Sequence, residues 1–461
     1  KNIINGGNMK ETKKDLSLTE KVRIFALGGL DEDGKNMLCI EVDDQIYIIE
    51  AGIKFPDAKE SLGIEFIIQD FSYLLENKDR IVGVIITHGH DDVMGALPYL
   101  LKQIKVDVYT SPLTAKMIQK TLRKEKITGI KIHPIKRNDH KRIGKRKVIF
   151  FPVTHAYPGT FGVAISTTQG YIVYSGEFIE DYDALDDKYR GDFSTITELG
   201  NEGVFILLQE SKGAERTGHT SPNHRITPRL SQVLEQHDHS RIFISVYTQS
   251  VYRIQEIIDC CIEYNRRMLF YTKELQELVS YLEELGYEVP KELIVDPKSL
   301  DNDMRDLVVI CSGQGKSLFK MISNIANNEV DEIDFDSDDV IVIASPVVPG
   351  VEQEFKSMEN DIYKEEGKII VLDKNVLSMH PSKEDLKMMI FLMKPKYYIP
   401  VKGEYRLLHM NSEIALEMGY SPSKILILDN GQVATFENGK LKSCSMELEL
   451  HDIMIDGKEN W

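Results

Sequence analysis

At 461 residues the chain is too long for one simple core and points to two or three domains. Apolar residues make up 42%, as in folded globular proteins, and no run of about 18 apolar residues is present to span a bilayer. Lys plus Arg is 56 and Asp plus Glu is 73, a net charge of −17, so the molecule as a whole does not draw nucleic acid from a distance. The five cysteines are Cys39, Cys260, Cys261, Cys311 and Cys444. They are odd in number and show no C-x-x-C spacing, which fits a reducing cytoplasm and small buried side chains better than disulfides or a thiolate zinc site. No secretory leader is expected. Residues 1–8, KNIINGGN, read as a vector scar ahead of Met9.

In chain order, VRIFALGG (22–29), MLCIEVDD (37–44) and QIYIIEAG (45–52) read as strands, with turns at their glycines and aspartates. IEFIIQDFSYLLENKDR (64–80) reads as helical, and IVGVIIT (81–87) as a strand buried on both faces. GALPYLLKQI (95–104) and TAKMIQKTLRKEK (114–126) read as helices around a strand at 106–111. Three further strands are expected at 147–153, 161–167 and 170–176, giving a layered α/β pattern. From about 216 to 376, strands such as RIFISVY (241–247), RMLFY (267–271), DLVVICSG (306–313) and DVIVIAS (339–345) alternate with helices. That order predicts a parallel sheet covered by helices. KEDLKMMIFLMKP, YYIPVKGE, HMNSEIALEMG and KILILDNGQVATF follow, and the last residues, MIDGKENW, show no helix or strand.

Chemistry gathers where strands end. THGHDDVMGALPYL (87–100) places His88, His90 and Asp92 just after a buried strand, where α/β proteins collect functional groups. Two imidazoles and a carboxylate suit zinc, which can lower the pKa of water to about 7. A metallohydrolase with two metals calls for a histidine at the next position, and this chain has Val93. His155 follows another strand in VTHAYPG, and Glu177 follows a third in VYSGEF. Each alone means little; the ordered set His88, His90, His155, Glu177 means much more. Residues 136–147, KRNDHKRIGKRK, form the densest basic stretch, open to two readings, a solvated hairpin face or a phosphate contact.

Here the chain resembles the ribonuclease J family, metallo-β-lactamase-fold nucleases of the β-CASP group. The resemblance rests on LGGLDEDGKNM (27–37), THGHDDVMGALPYLL (87–101), THAYPGTFGV (154–163), YSGEF (174–178), ELGNEGVFILLQES (198–211), HPSKEDLKMMI (380–390) and KPKYYIPVKGEYR (394–406), and runs from about 20 to 457. It implies a metallo-β-lactamase αββα sandwich in two pieces, 9–215 and 377–450. A β-CASP domain, 216–376, would be inserted between them, and 451–461 would begin a linker to a further domain. The family cleaves RNA, internally and from a 5′-monophosphorylated end, in mRNA decay and rRNA maturation. The resemblance implies a first metal on His88, His90 and His155, with residue 177 bridging to a second on Asp92 and positions 93 and 402. It gives Asp92, Glu210 and His380 catalytic roles, and places a phosphate clamp at Val376, Leu377, Ser378, Met379 and His380.

The departures fall at the chemistry. The family's aspartate at position 50 is Glu50, the second-metal histidines are Val93 and Lys402, the bridging aspartate is Glu177, and a clamp glycine is Met379. Without that glycine, backbone cannot approach phosphate as closely, and the methionine side chain stands in the way. Within the family the sequence looks like the degenerate second paralogue of low-GC Gram-positive bacteria, which pairs with an active sister subunit. The expected cofactor is zinc, one ion at most, with manganese or magnesium as alternatives. The expected partners are RNA and the active paralogue, in a homo- or hetero-oligomer without a membrane. An active single-metal ribonuclease and a scaffold without an RNA role remain as alternatives. Lys402 is expected between Asp92 and Glu177, in the second metal's place, unless it turns to solvent.

Overall fold

The computed structural model describes residues 19–56, 63–348, 350–373 and 376–456. The scar expected at 1–8 and residues 457–461 of the expected linker lie outside them.

Two sheets drawn from the early and late parts of the chain face each other. The eight-stranded one runs Lys440–Met446, Gln432–Glu437, Lys21–Gly28, Met37–Val42, Gln45–Ile49, Ile81–Ile86, Val108–Thr110, Ile132–Pro134. The six-stranded one runs Tyr397–Val401, Val204–Glu210, Gly170–Tyr174, Phe161–Thr167, Arg146–Pro152, His140–Ile143. Their inner faces meet in one apolar layer that includes Ile24, Ile40, Ile85, Phe150, Val163 and Ile399. The opposite face of the first sheet packs Leu97, Leu100 and Ile118 from the helices Leu97–Gln103 and Pro112–Lys124. That of the second packs Ile196, Leu386, Met389 and Ile414 from Phe193–Glu202, Lys383–Met393 and Tyr405–Glu417. This is the αββα sandwich, with each apolar face covered by the next layer.

Val204–Glu210 and Tyr397–Val401 are parallel neighbours, with Glu210 opposite Val401. Between them the chain builds a five-stranded sheet in the order Arg267–Phe270, Leu307–Gly313, Ile242–Tyr247, Val340–Ile343, Lys368–Val371, every pair parallel. Apolar clusters cover both of its faces, as the alternating strands and helices in the sequence require.

Two expectations need correction. Residues 64–68 form a strand, Ile64–Ile68, and helix begins only at Ser72–Glu76. The chain's last described residues also form a strand, Ile453–Asp456, which pairs antiparallel with Ile64–Ile68. The two misreadings share one cause: a β-branched segment takes extended form when a remote edge supplies hydrogen bonds, and local periodicity does not show that edge.

Candidate metal centre

The strand Ile81–Ile86 is covered on both faces, so its polar residues wait until it ends. Thr87, His88 and His90 then enter the cleft, and His90 stands as N-cap of the short helix Asp91–Met94. Gly52 lets this turn settle on the neighbouring chain, since a Cβ there would lie 1.6 Å from the Asp92 carbonyl oxygen. His155 and Glu177 follow the strands Arg146–Pro152 and Gly170–Tyr174. One ligand atom from each of His88, His90, His155 and Glu177 falls within 4.8 Å of the others.

Hydrogen bonds fix the ring tautomers. Thr87 Oγ1 donates to Glu50 Oε1 at 2.5 Å and so accepts from His88 Nδ1, 2.9 Å away. His90 Nε2 donates to the Gln249 carbonyl at 3.3 Å, and His155 Nδ1 to the Met379 carbonyl at 2.9 Å. The three remaining nitrogens are lone pairs. Two of them, His88 Nε2 and His90 Nδ1, face each other at 2.9 Å. Burial holds all three imidazoles neutral: His88 and His155 lie well below the usual histidine range, and His90 is pushed down to about 4.

The other side of the cleft differs. Lys402, 3% exposed, follows the strand Tyr397–Val401, and its Nζ lies 3.4 Å from Asp92 Oδ2 and against Glu177 Oε1. Lys212, past the end of Val204–Glu210, puts its Nζ 3.3 Å from the same Asp92 oxygen and 2.9 Å from Asp33. Burial alone would raise the Asp92 carboxyl; the two ammoniums outweigh it and hold it well below the usual carboxylate range. Val93 is fully buried in the apolar layer beneath. Glu50 (φ 68°) and Lys402 (φ 62°) both hold left-handed backbone, a strained choice for non-glycine residues that clusters at functional sites.

A third group lies alongside. His380 Nδ1 donates to Glu210 Oε2 at 2.8 Å, while Glu210 Oε1 accepts from the Phe178 amide at 2.7 Å. Beside it, Met379 is 6% exposed in the core layer, with Val376 and Leu377 packed against the same layer. The Met379 side chain is thus held among apolar neighbours and does not stand free in the cleft as the sequence suggested. Ser378 is half-buried.

Comparison with known proteins fits this architecture. Residues 239–362 match the family model for the ribonuclease J β-CASP domain, and residues 30–209 that of the metallo-β-lactamase superfamily. Ribonuclease J 2 of Staphylococcus aureus (strain NCTC 8325 / PS 47) is 32% identical over 440 residues, covering 95% of this chain and 78% of its own. The chain belongs to the ribonuclease J family. Ribonuclease J 2 of Staphylococcus epidermidis is 31% identical over the same length. A crystal structure of a protein of unknown function from Enterococcus faecalis V583 shares the fold, with a TM-score of 0.63 at 14% identity, covering 90% of this chain and all of its own.

The metallo-β-lactamase fold implies metal, and the first position suits it. His155 Nε2 and Glu177 Oε2 are buried without a hydrogen-bond partner, and the facing lone pairs of His88 and His90 repel unless a cation lies between them. An ion held by His88, His90, His155 and Glu177 would supply Lewis acidity toward a phosphoryl oxygen. Glu50, through Thr87, orients His88 from behind, as carboxylates behind metal-binding histidines do. Around Asp92 the surroundings are different: the buried apolar side chain of Val93 and the two ammoniums of Lys402 and Lys212.

The sequence reading missed Lys212, Asp33 and Thr87. Lys212 carried a signal, a cation two residues after the strand-end acid Glu210. The basic stretch is largely engaged within the chain. Lys145 pairs with Asp44, Arg146 with Glu20 and Asp43, and Arg137 donates to the carbonyls of Asp187 and Arg190. The five cysteines are free, four of them buried. Among the described residues no helix is long and apolar enough to cross a membrane.

Proposed function

We propose that this ribonuclease J family chain engages RNA as a subunit whose own cleavage is weak or lost, and that it serves beside an active paralogue in the same cell. Its cleft would hold one divalent ion, zinc or manganese, on His88, His90, His155 and Glu177. Asp92 would serve only to anchor the two lysines. In the same reading residues 216–376 are the β-CASP unit, set between metallo-β-lactamase pieces 9–215 and 377–450.

The observation that carries this reading is the Lys402 ammonium seated between Asp92 and Glu177. It neutralises the buried Glu177 carboxylate and the partly exposed Asp92 carboxylate, which would otherwise repel, and it repels a cation from the same place. Phosphoryl transfer depends on positioned charge, and a fixed monovalent ammonium is a poor substitute for a divalent ion bridging attacking and leaving oxygens.

A second reading, an active single-metal ribonuclease, draws support from the Glu210–His380 hydrogen bond. That contact leaves His380 Nε2 free to exchange a proton with substrate. Single-turnover cleavage of a 5′-monophosphorylated RNA, with and without Mn²⁺, separates the two. The first reading expects no manganese-dependent rate above that of a His380→Ala variant; a clear manganese-dependent rate lost in that variant favours the second. Co-purification with the active paralogue from the native host tests the supporting role.

A further inference from the structure

Outside the cleft, three metal-ligating side chains from separate segments converge. Glu180 lies in the loop beyond Gly170–Tyr174, His219 in the loop beyond Val204–Glu210, and Asp385 in the first turn of the helix Lys383–Met393. One ligand atom of each lies within 4.8 Å of the others. Asp385 has its two oxygens divided: Oδ2 accepts from the amides of Thr220 and Ser382, at 3.0 and 2.9 Å, and Oδ1 faces His219 Nδ1 at 2.8 Å.

Glu180 is the anomaly. It is 6% exposed, and its Oε1 is buried with no hydrogen-bond partner. A buried carboxylate is normally paired or hydrogen-bonded. Burial, with Asp385 beside it, pushes the Glu180 carboxyl up to about 9. Two carboxyl groups and an imidazole share one small space, one Glu180 oxygen has no partner, and only a proton relieves the charge there.

We propose that Glu180, His219 and Asp385 form a second divalent-metal site, separate from the cleft, which takes zinc or manganese. One nitrogen and two oxygen donors suit those ions, and a half-exposed His219 (side chain 54% exposed) leaves coordination positions for water. The site would act as a staple. Thr220 Oγ1 donates to the His380 carbonyl at 2.7 Å, Arg216 donates to the same carbonyl, and Ser382 and Asp385 form the capping box of the helix that follows. An ion joining Glu180, His219 and Asp385 therefore fixes the segment that carries His380. His219, Glu180 and Asp385 are positioning residues in this account. It does not depend on the cleft being active or degenerate.

The test is equilibrium dialysis of the chelator-stripped full chain against Zn²⁺ and, separately, Mn²⁺, alongside thermal unfolding. His219→Ala changes a half-exposed side chain and should fold. It is expected to bind one ion fewer than the wild type, whereas a His88→Ala/His155→Ala variant keeps that ion and loses the cleft ion. Glu180→Gln should melt higher than the wild type without metal, because the bare carboxyl is gone. The wild type should gain about 3 °C or more on adding metal at a large excess over its Kd, and Glu180→Gln should lose most of that gain. If His219→Ala binds as many ions as the wild type, or Glu180→Gln keeps the full metal-induced rise, the site does not exist.

Discussion

One half of the cleft offers three neutral imidazoles whose lone pairs crowd together around Glu177; the other lays two ammoniums on Asp92. The halves share one strand end, that of Ile81–Ile86; His155 and Glu177 follow Arg146–Pro152 and Gly170–Tyr174, whereas Lys402 and Lys212 follow Tyr397–Val401 and Val204–Glu210. Val93 joins the core, and Lys402 brings a positive charge from within the chain against Asp92 and Glu177. One cleft thus sets a candidate metal-ligand cluster directly beside a lysine–carboxylate network.

The largest effect should come from removing the ammonium. Lys402→Met leaves the buried Glu177 carboxylate, and Asp92 beside it, with less compensating charge, a loss of about 3–5 kcal/mol in urea unfolding. If the charge is what matters, Mn²⁺ should restore part of that loss. A cost near zero would mean that Lys402 is not what holds this half together.

Val93→His puts an imidazole into an apolar layer and should cost about 1–3 kcal/mol. It should not bring back cleavage, because Lys402 and Lys212 still hold Asp92 and residues that act as a unit do not add. Family-like rates from that single change would show that the lysine half was never the obstacle.

A pH dependence links the halves through Glu50, which touches Thr87 on one side and senses Lys402 on the other. Burial pushes its carboxyl up from 4.5 to about 7, against the pull of Lys402. The folded state then holds the extra proton across that window, so this group's stabilisation is full at the low end and is lost as pH rises through about 7. In chelator-stripped protein, Glu50→Gln should flatten the fall in stability between about pH 5 and 7, and Lys402→Met should carry the fall to higher pH. Identical pH profiles for wild type and Glu50→Gln would contradict this.

The smallest effect concerns RNA. Replacing Lys145, Arg146 and Lys147 with glutamate should weaken RNA binding at low salt, with the difference fading as salt rises. Because Lys145 and Arg146 already pair with Asp44, Glu20 and Asp43, a few-fold change is expected. No change in filter binding would mark the stretch as a solvated hairpin.

Much of this was legible in the sequence because it is local. Buried strands such as IVGVII announce themselves as apolar runs, and the candidate metal ligands follow such strands in chain order. The parallel sheet of the middle region followed from its alternating strands and helices. What stayed hidden depends on distant chain. Ile64–Ile68 is a strand because Ile453–Asp456 lies beside it, and Lys212 matters because its side chain crosses to Asp92 and Asp33. Met379 replaced a glycine on paper, yet its side chain lies in the core while its carbonyl orients His155. The Glu180–His219–Asp385 cluster joins three segments that no spacing rule connects.

The most direct test of the central claim, one metal position kept and one replaced by ammonium, is anomalous diffraction from crystals grown with excess Mn²⁺. The account predicts a single manganese peak in the cleft, among His88, His90 and His155, with the Lys402 nitrogen within hydrogen-bond reach of Asp92 and Glu177. A second cleft peak beside Asp92, with Lys402 turned away, would contradict it.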